Sequence, residues 1–174
     1  MKTHFALLAT ALFSLFASTT AQAVDTLHHG ALNVPANRIV GLWLTEGGTR
    51  PCGTEIPLTQ IRNTILFQAG GTVIANPQQA PAAGISNLPG APGFNQRGQD
   101  LGTWSFNPLT HQYAVKLRFD WYVDGLYHGY QVVERTILLS NDGKRGFGPV
   151  RSARYRADGS LMGAVCGEVT STRQ

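Results

Sequence analysis

The residues best suited to chemistry lie together between positions 127 and 140. His128, Tyr130 and Glu134 are separated by even numbers of residues, so an extended chain places them on one face. An imidazole, a phenol and a carboxylate that converge inside a protein can act as general acid and base. Arg135 falls on the opposite face, where an inward guanidinium can bind a ligand carboxylate through two parallel hydrogen bonds. Both faces mix polar and apolar residues, so the sequence leaves open which one points inward.

Further arginines lie on the segment that follows. Arg151, Arg154 and Arg156 are clustered there, one hairpin away from Glu134. Cross-strand pairing of opposite charges is the ordinary explanation and contributes roughly 0.2–1 kcal/mol per pair. The sharper hypothesis is that Arg151 or Arg135 points inward and orients the polar end of a bound molecule.

Known catalytic motifs are absent from the sequence. It contains no His-Glu-x-x-His zinc motif, no Gly-x-Ser-x-Gly nucleophile motif and no glycine-rich phosphate loop. The adjacent pair His28 and His29 precedes the first predicted strand, and a metal site needs three or four converging ligands. We therefore expect no metal and no cofactor, and we assign no catalytic residue.

The chain has two cysteines, Cys52 and Cys166. In an exported protein, an even pair most simply forms one disulfide. A bridge that closes so long a loop contributes at most about 4–5 kcal/mol in the chain-entropy model. No Cys-x-x-Cys spacing is present, so we expect a structural disulfide rather than a redox or metal pair.

The hydrophobic pattern has a period of two from Arg38 onward, which predicts strands separated by turns. The clearest strand is 112–123, where aromatic and aliphatic residues alternate with charged ones. Asp124-Gly125 follows it, and an Asp-Gly pair between two strands is a strong hairpin signal. The eight predicted strands are residues 39–46, 63–68, 72–76, 100–106, 112–123, 127–140, 145–156 and 161–170.

Eight sequential antiparallel strands form a meander, which usually closes because closure removes both edges. The predicted fold is therefore all-β, an eight-stranded antiparallel up-and-down barrel. A sandwich and an outer-membrane barrel are the alternatives. The connections are tight at one end and long at the other, where residues 47–62 and 77–99 lie. Segment 77–99 is either a lid over the barrel mouth or an insertion without a role.

The start of the first predicted strand resembles the lipocalin-like (calycin) barrels. Gly41-Leu42-Trp43 matches the Gly-x-Trp motif of that family, and Arg173 follows the last strand, as an arginine does there. The resemblance implies that Arg173 packs over Trp43 in a cation–π contact and closes one end of the barrel. Small barrels such as the allene-oxide-cyclase-like enzymes share these general features.

The first 23 residues have the features of a cleavable secretory signal. Lys2 precedes an apolar run at 5–16 that is too short to span a bilayer, and Ala21-Gln22-Ala23 supplies small residues for signal peptidase. We expect a secreted or periplasmic protein that is cleaved after Ala23. The predicted organisation is a signal peptide (1–23), an N-terminal arm (24–37) and a barrel domain (38–174).

Charge and hydropathy restrict the partners. A net charge of +4 over 174 residues is too weak a field to indicate nucleic-acid binding. After the signal, no apolar run is long enough for a membrane helix, so we expect no integral membrane segment in the mature chain. The sequence leaves the oligomeric state open.

The leading hypothesis is that the barrel binds a small, largely apolar molecule through its open end, without covalent chemistry. Phe119 and Trp121 would line its cavity. One alternative is a barrel enzyme, such as an isomerase or cyclase, that uses His128, Tyr130 and Glu134. The other is a filled barrel that serves as a structural or interaction module of the cell envelope. The direction of those three side chains and the volume of the interior distinguish the hypotheses.

Overall fold

The computed structural model describes residues 34–56, 58–77 and 95–174 of the chain. The predicted signal peptide lies outside these residues, as do most of the N-terminal arm and most of segment 77–99. The predictions made for those segments, including the lid, stay predictions.

The described residues form one short helix and nine strands. No helix within these ranges has the length and apolar character that crossing a membrane requires. The elements are the 3-10 helix Pro35–Ile39 and the strands β1 (Gly41–Pro51), β2 (Thr59–Phe67), β3 (Thr72–Pro77), β4 (Asn95–Arg97), β5 (Asp100–Asn107), β6 (Gln112–Val123), β7 (Leu126–Leu139), β8 (Arg145–Arg156) and β9 (Leu161–Arg173).

The strands close into one antiparallel barrel. β1 pairs with both β2 and β9, and β6 pairs with both β5 and β7, so the circle is complete. β4 and β5 both pair with β6 and are separated only by Gly98 and Gln99. They are therefore two parts of one interrupted strand, and the barrel has eight strands. The predicted eight-stranded, all-β barrel is confirmed, and the sandwich alternative is wrong.

The connection after β1 is shorter than the sequence pattern predicts. β1 continues to Pro51 and β2 begins at Thr59, so most of the predicted 47–62 loop is strand. Gly47 interrupts the alternation of apolar residues, because the neighbouring strand leaves no room for a side chain there. A Cβ on Gly47 would lie 2.7 Å from the side chain of Val169. The short strand β4 is likewise absent from the sequence prediction.

β6 and the turn that follows it obey the sequence rules. Asp124 and Gly125 have φ angles of 49° and 79°, as a two-residue type I′ hairpin turn requires. Of the residues of β6 predicted on one face, Tyr113, Val115, Leu117, Phe119 and Trp121 are buried and Val123 is half-buried.

The apolar core fills the end of the barrel at which β1 begins. Phe67, Trp104 and Tyr113 pack ring against ring there, with centroids 6.5 Å and 6.0 Å apart. The buried residues of this core are Ile39, Trp43, Ile65, Phe67, Val73, Ala75, Trp104, Tyr113, Val115, Leu117 and Ile137.

Arg173 closes this end of the barrel. Its guanidinium carbon lies 4.5 Å from the centroid of the Trp43 ring. Its Nη1 donates to the carbonyl of Val40 at 2.7 Å and its Nε to the carbonyl of Gly143 at 3.1 Å. Its Nη2 donates to the carbonyl of Arg38. All three nitrogens are therefore satisfied by backbone oxygens.

Gly41 and Trp43 allow Arg173 to pack in this position. Gly41 has a φ of +131°, and a Cβ there would lie 2.7 Å from Nη1 of Arg173. The indole Nε1 of Trp43 donates to the carbonyl of Ile39 at 2.7 Å. The glycine thus gives the guanidinium its space, and the indole is held from below by the short helix.

The disulfide lies at the opposite end. Cys52 and Cys166 are bonded with an S–S distance of 2.08 Å, which confirms the predicted pair. Cys52 follows the last residue of β1, and Cys166 pairs in register with Arg50. The bridge therefore ties the end of the first strand to the last strand.

Candidate functional site: an arginine-lined cavity

A cavity of about 280 Å³ lies inside the barrel, between the core and the end that carries the disulfide. Small-molecule sites typically occupy about 300–1,000 Å³, so the space suits a small ligand. The barrel is therefore not filled, which removes the main support for a purely structural module. The apolar lining residues are Ile61, Ile65, Phe67, Val115, Leu117, Phe119, Val133, Val150, Val165 and Val169.

Arg135 is the charged residue deepest in this apolar lining. Its residue is only 6% exposed, and it lines the cavity from β7. Nη2 donates to Oγ of Ser171 at 2.9 Å and Nη1 to Oγ1 of Thr45 at 3.3 Å, and these two hydroxyls lie 2.6 Å apart. Its Nε has no hydrogen-bond partner within the described ranges. Of the two possible faces of β7, the structure thus turns the one with Arg135 inward.

No carboxylate of the described residues forms an ion pair with Arg135. Burial alone lowers its pKa to about 10, so the side chain is still charged at neutral pH. A buried charge without a counter-ion is unfavourable. The hydroxyls supply acceptors, but they do not neutralise the cation.

Arg97 lines the same cavity from β4 and does have an acidic partner. Its Nε donates to Oδ1 of Asp100 at 3.0 Å, and Nη2 contacts the other carboxylate oxygen. Its guanidinium carbon also lies 3.5 Å from the centroid of the Phe119 ring. Burial raises the pKa of Asp100, although the adjacent Arg97 opposes the shift. This arginine is therefore compensated in both charge and hydrogen bonding.

A polar chain crosses the mouth side of the cavity. The indole Nε1 of Trp121 donates to Oε1 of Gln131 at 2.9 Å, and Nε2 of Gln131 donates to Oγ of Ser152. Phe119 lines the cavity and contacts Trp121 edge to face, with the ring centroids 5.4 Å apart. Trp121 itself is buried just beyond the lining residues.

Arg154 lies over Trp121, with its guanidinium carbon 4.7 Å from the ring centroid. It follows Ser152 by two residues, on the same inward face of β8, and it pairs directly with Gln131 across the strands. The residue is 6% exposed, yet none of its three guanidinium nitrogens has a hydrogen-bond partner within the described part of the chain. Burial lowers its pKa, and no acidic group of the described residues opposes that shift.

Arg151 is on the outer surface. Its side chain is 49% exposed and lies 3.9 Å from the carboxylate of Glu134, which also contacts Lys116 at 3.6 Å. The hypothesis that Arg151 orients a molecule inside the barrel is therefore wrong. The ordinary explanation, cross-strand ion pairing, describes it correctly.

The acid–base set does not assemble inside the barrel. Glu134 is on the outside, and Tyr130 stacks on Tyr155 at 5.0 Å while Arg118 lies 4.1 Å above its ring. His128 is half-buried, and its buried Nδ1 has no hydrogen-bond partner among the described residues. Because two of the three side chains face away from the interior, the observation on which the enzyme alternative depended is missing.

Two arginines of the interior, Arg154 and Arg97, are not identified as candidates from the sequence. Arg154 lies two residues after Ser152 and four after Val150, so a regular strand places all three side chains on one face. This alternation is the sequence signal for an inward position of Arg154. Arg97 belongs to a strand that the pattern does not reveal. Within the described ranges, no group of three or more histidine, cysteine or acidic side chains is arranged to bind a metal ion.

Comparison with known proteins gives no match among family models, curated proteins or solved structures. The class of protein is therefore described from its structure alone. The described residues form a closed eight-stranded barrel around an interior cavity, and every charged residue of its lining is an arginine, namely Arg62, Arg97 or Arg135.

Proposed function

We propose that this protein is an exported, lipocalin-like barrel that binds a small, largely apolar molecule in its interior cavity. The fold supports this class, because an eight-stranded barrel is wide enough to hold one small ligand. Export is supported by the disulfide, since such bonds persist in oxidising compartments.

The observation that carries the proposal is Arg135, a buried cation in the cavity wall that has no acidic partner among the described residues. A cation that lies in such a wall without an acidic partner is compensated when a ligand supplies the acid. The ligand would place an acidic group beside Arg135 and its apolar body against residues such as Phe119 and Val133.

The test is a calorimetric titration of the purified, disulfide-bonded protein with decanoate and with decanol. Decanoate should bind saturably with one site, and decanol about tenfold more weakly, because a charged hydrogen bond is about twice as strong as a neutral one. The Arg135→Gln variant should bind the two molecules with similar affinity.

A matched pair of variants shows where binding occurs. Val133→Trp fills the cavity and should abolish binding, whereas Val132→Trp adds the same side chain to the other face of β7 and should not. Absence of saturable binding to either molecule, or binding that survives Val133→Trp, contradicts the proposal.

A further inference from the structure

Arg154 is the least satisfied charged group in the described part of the chain. Three buried guanidinium nitrogens without a hydrogen-bond partner are costly, because each forfeits the bond that it makes in water. The face of Trp121 provides a cation–π contact, which compensates only part of the charge and none of the hydrogen bonds. The N–H groups on these three nitrogens lie in one plane and suit an oxygen anion that accepts two hydrogen bonds at once.

The space beside Arg154 is consistent with a bound group. Its neighbour across β9 is Gly163, and a Cβ placed on that glycine would meet no other atom of the described chain within 4 Å. Its neighbour on β7 is Gln131, whose amide already bonds to Trp121 and Ser152. The neighbouring side chains thus supply no acceptor to Arg154, and an anion that enters from the mouth would have to displace the groups that cover its guanidinium.

Arg154 and Arg135 are too far apart to share one small anion. Arg135 pairs with Val150, and Arg154 lies four residues further along β8, about 14 Å at roughly 3.4 Å per residue. The guanidinium of Arg135 extends the other way, toward Ser171, which pairs with Gly146 on the far side of Val150. Arg135 therefore lies toward the floor of the cavity, whereas Arg154 lies beyond the lining residues on its mouth side.

We propose that Arg154, stacked on Trp121, is a second anion subsite, and that the barrel takes an elongated apolar molecule with an acidic group at each end. This inference rests on the proposed function, which places the first acidic group at Arg135. The apolar wall between the two arginines contacts the middle of the molecule, through side chains such as Phe119 and Val165. The two acidic groups neutralise two cations for which the described residues supply no counter-ion.

The test compares decanedioate with its monomethyl ester, which has the same chain but one charge fewer. Calorimetric titrations with the disulfide-bonded protein should give a dissociation constant about tenfold or more lower for the diacid, as one charge-assisted contact predicts. Octanedioate and dodecanedioate, each with its monoester, show which chain length spans the two subsites.

Variants test whether the higher affinity for the diacid is due to Arg154. Arg154→Gln should bring the diacid to the affinity of the monoester and leave the monoester unchanged, and Arg154→Lys should retain part of the preference. Arg156→Gln removes an exposed arginine two residues away and is the matched control, which should retain the full preference. Thermal unfolding of each variant verifies that it folds.

The outcomes separate the inference from the proposed function. If decanoate and the monoester bind but the diacid binds no more tightly, or if Arg154→Gln and Arg154→Lys both leave the preference intact, the second subsite is refuted and the single-acid proposal stands. If none of these molecules binds saturably, the proposed function fails and the inference fails with it. A diacid preference that Arg154→Gln removes supports both.

Discussion

Each end of this barrel has an arginine stacked on a tryptophan, but the two arginines differ in their hydrogen bonds. At the closed end, Arg173 lies over Trp43 and donates to three backbone carbonyls. At the open end, Arg154 lies over Trp121 at a similar distance and donates to nothing among the described residues. The ring contact is common to both, so the hydrogen bonds distinguish an arginine that the described residues satisfy from one that they leave unsatisfied.

Arg97 and Arg135 fall between these extremes. Arg97 has an acid, whereas Arg135 has two hydroxyls but no acid among the described residues. An arginine inside a small barrel is therefore not informative by its presence alone. Two features are informative: how many of its N–H groups lack a hydrogen-bond partner, and whether a carboxylate lies beside it. An arginine that lacks both partners is the better candidate for binding a ligand.

The largest expected effect concerns how each end is held together. The open end is held by a covalent bond, and the chain-entropy model gives it at most about 4–5 kcal/mol. The double variant Cys52→Ser/Cys166→Ser should lower the melting temperature by about 10 °C or more. Thermal unfolding measured by circular dichroism, with the reduced native protein as a second sample, tests this. A shift of only a few degrees in both samples would mean that strand pairing alone holds this end.

An intermediate effect separates the two arginines. Arg173→Met leaves three carbonyls without their donor and should lower the free energy of unfolding by about 2 kcal/mol. Arg154→Met removes a buried charge with no partner in the described chain and should leave the stability unchanged or raise it by about 1 kcal/mol. Urea unfolding of both variants measures the difference. Equal destabilisation by the two substitutions would show that Arg154 is also a structural residue.

The smallest expected effect concerns Arg97, the arginine that has its own acid. Burial raises the pKa of Asp100 above its value in the unfolded chain, so the folded protein holds that proton more tightly. The resulting stabilisation is complete below the unfolded pKa and is lost as pH rises through the folded pKa. Native stability relative to Asp100→Asn should therefore decrease from pH 4 to pH 7 in urea titrations. An increase over that range would mean that Arg97 lowers this pKa instead.

Much of the fold was predictable because its signals are local. The alternation of β6 and the Asp124-Gly125 turn are encoded by adjacent residues, and the disulfide follows from the number of cysteines. The end of β1 was not predictable in this way. Gly47 has no side chain to mark a face, and the reason for it is the close approach of β9, which is distant in sequence.

The candidate site was less predictable, because an arginine fits either face of a strand. Arg151 and Arg154 are separated by an odd number of residues and so point in opposite directions, and the partner that distinguishes them is Glu134 on the outside of β7. Register irregularities after Trp121 and after Arg154 add a further change that no local pattern records. Arg135 is a candidate from its residue type, but its direction depends on which face of β7 meets Thr45 and Ser171.

The position of the disulfide also bears on how fast the chain becomes a barrel. Pairing of β1 with β9 joins the two strands that are most distant in sequence, with Trp43 opposite Arg173. Closing so long a loop has an entropic cost, and folds with many long-range contacts reach the native state slowly. Once Cys52 and Cys166 are linked, the end of β1 is held beside β9, and the remaining residue pairs of the two strands lie only a few residues from the bond. Barrel closure then becomes a short-range step, so a chain that is oxidised first should pair β1 with β9 faster than a reduced chain.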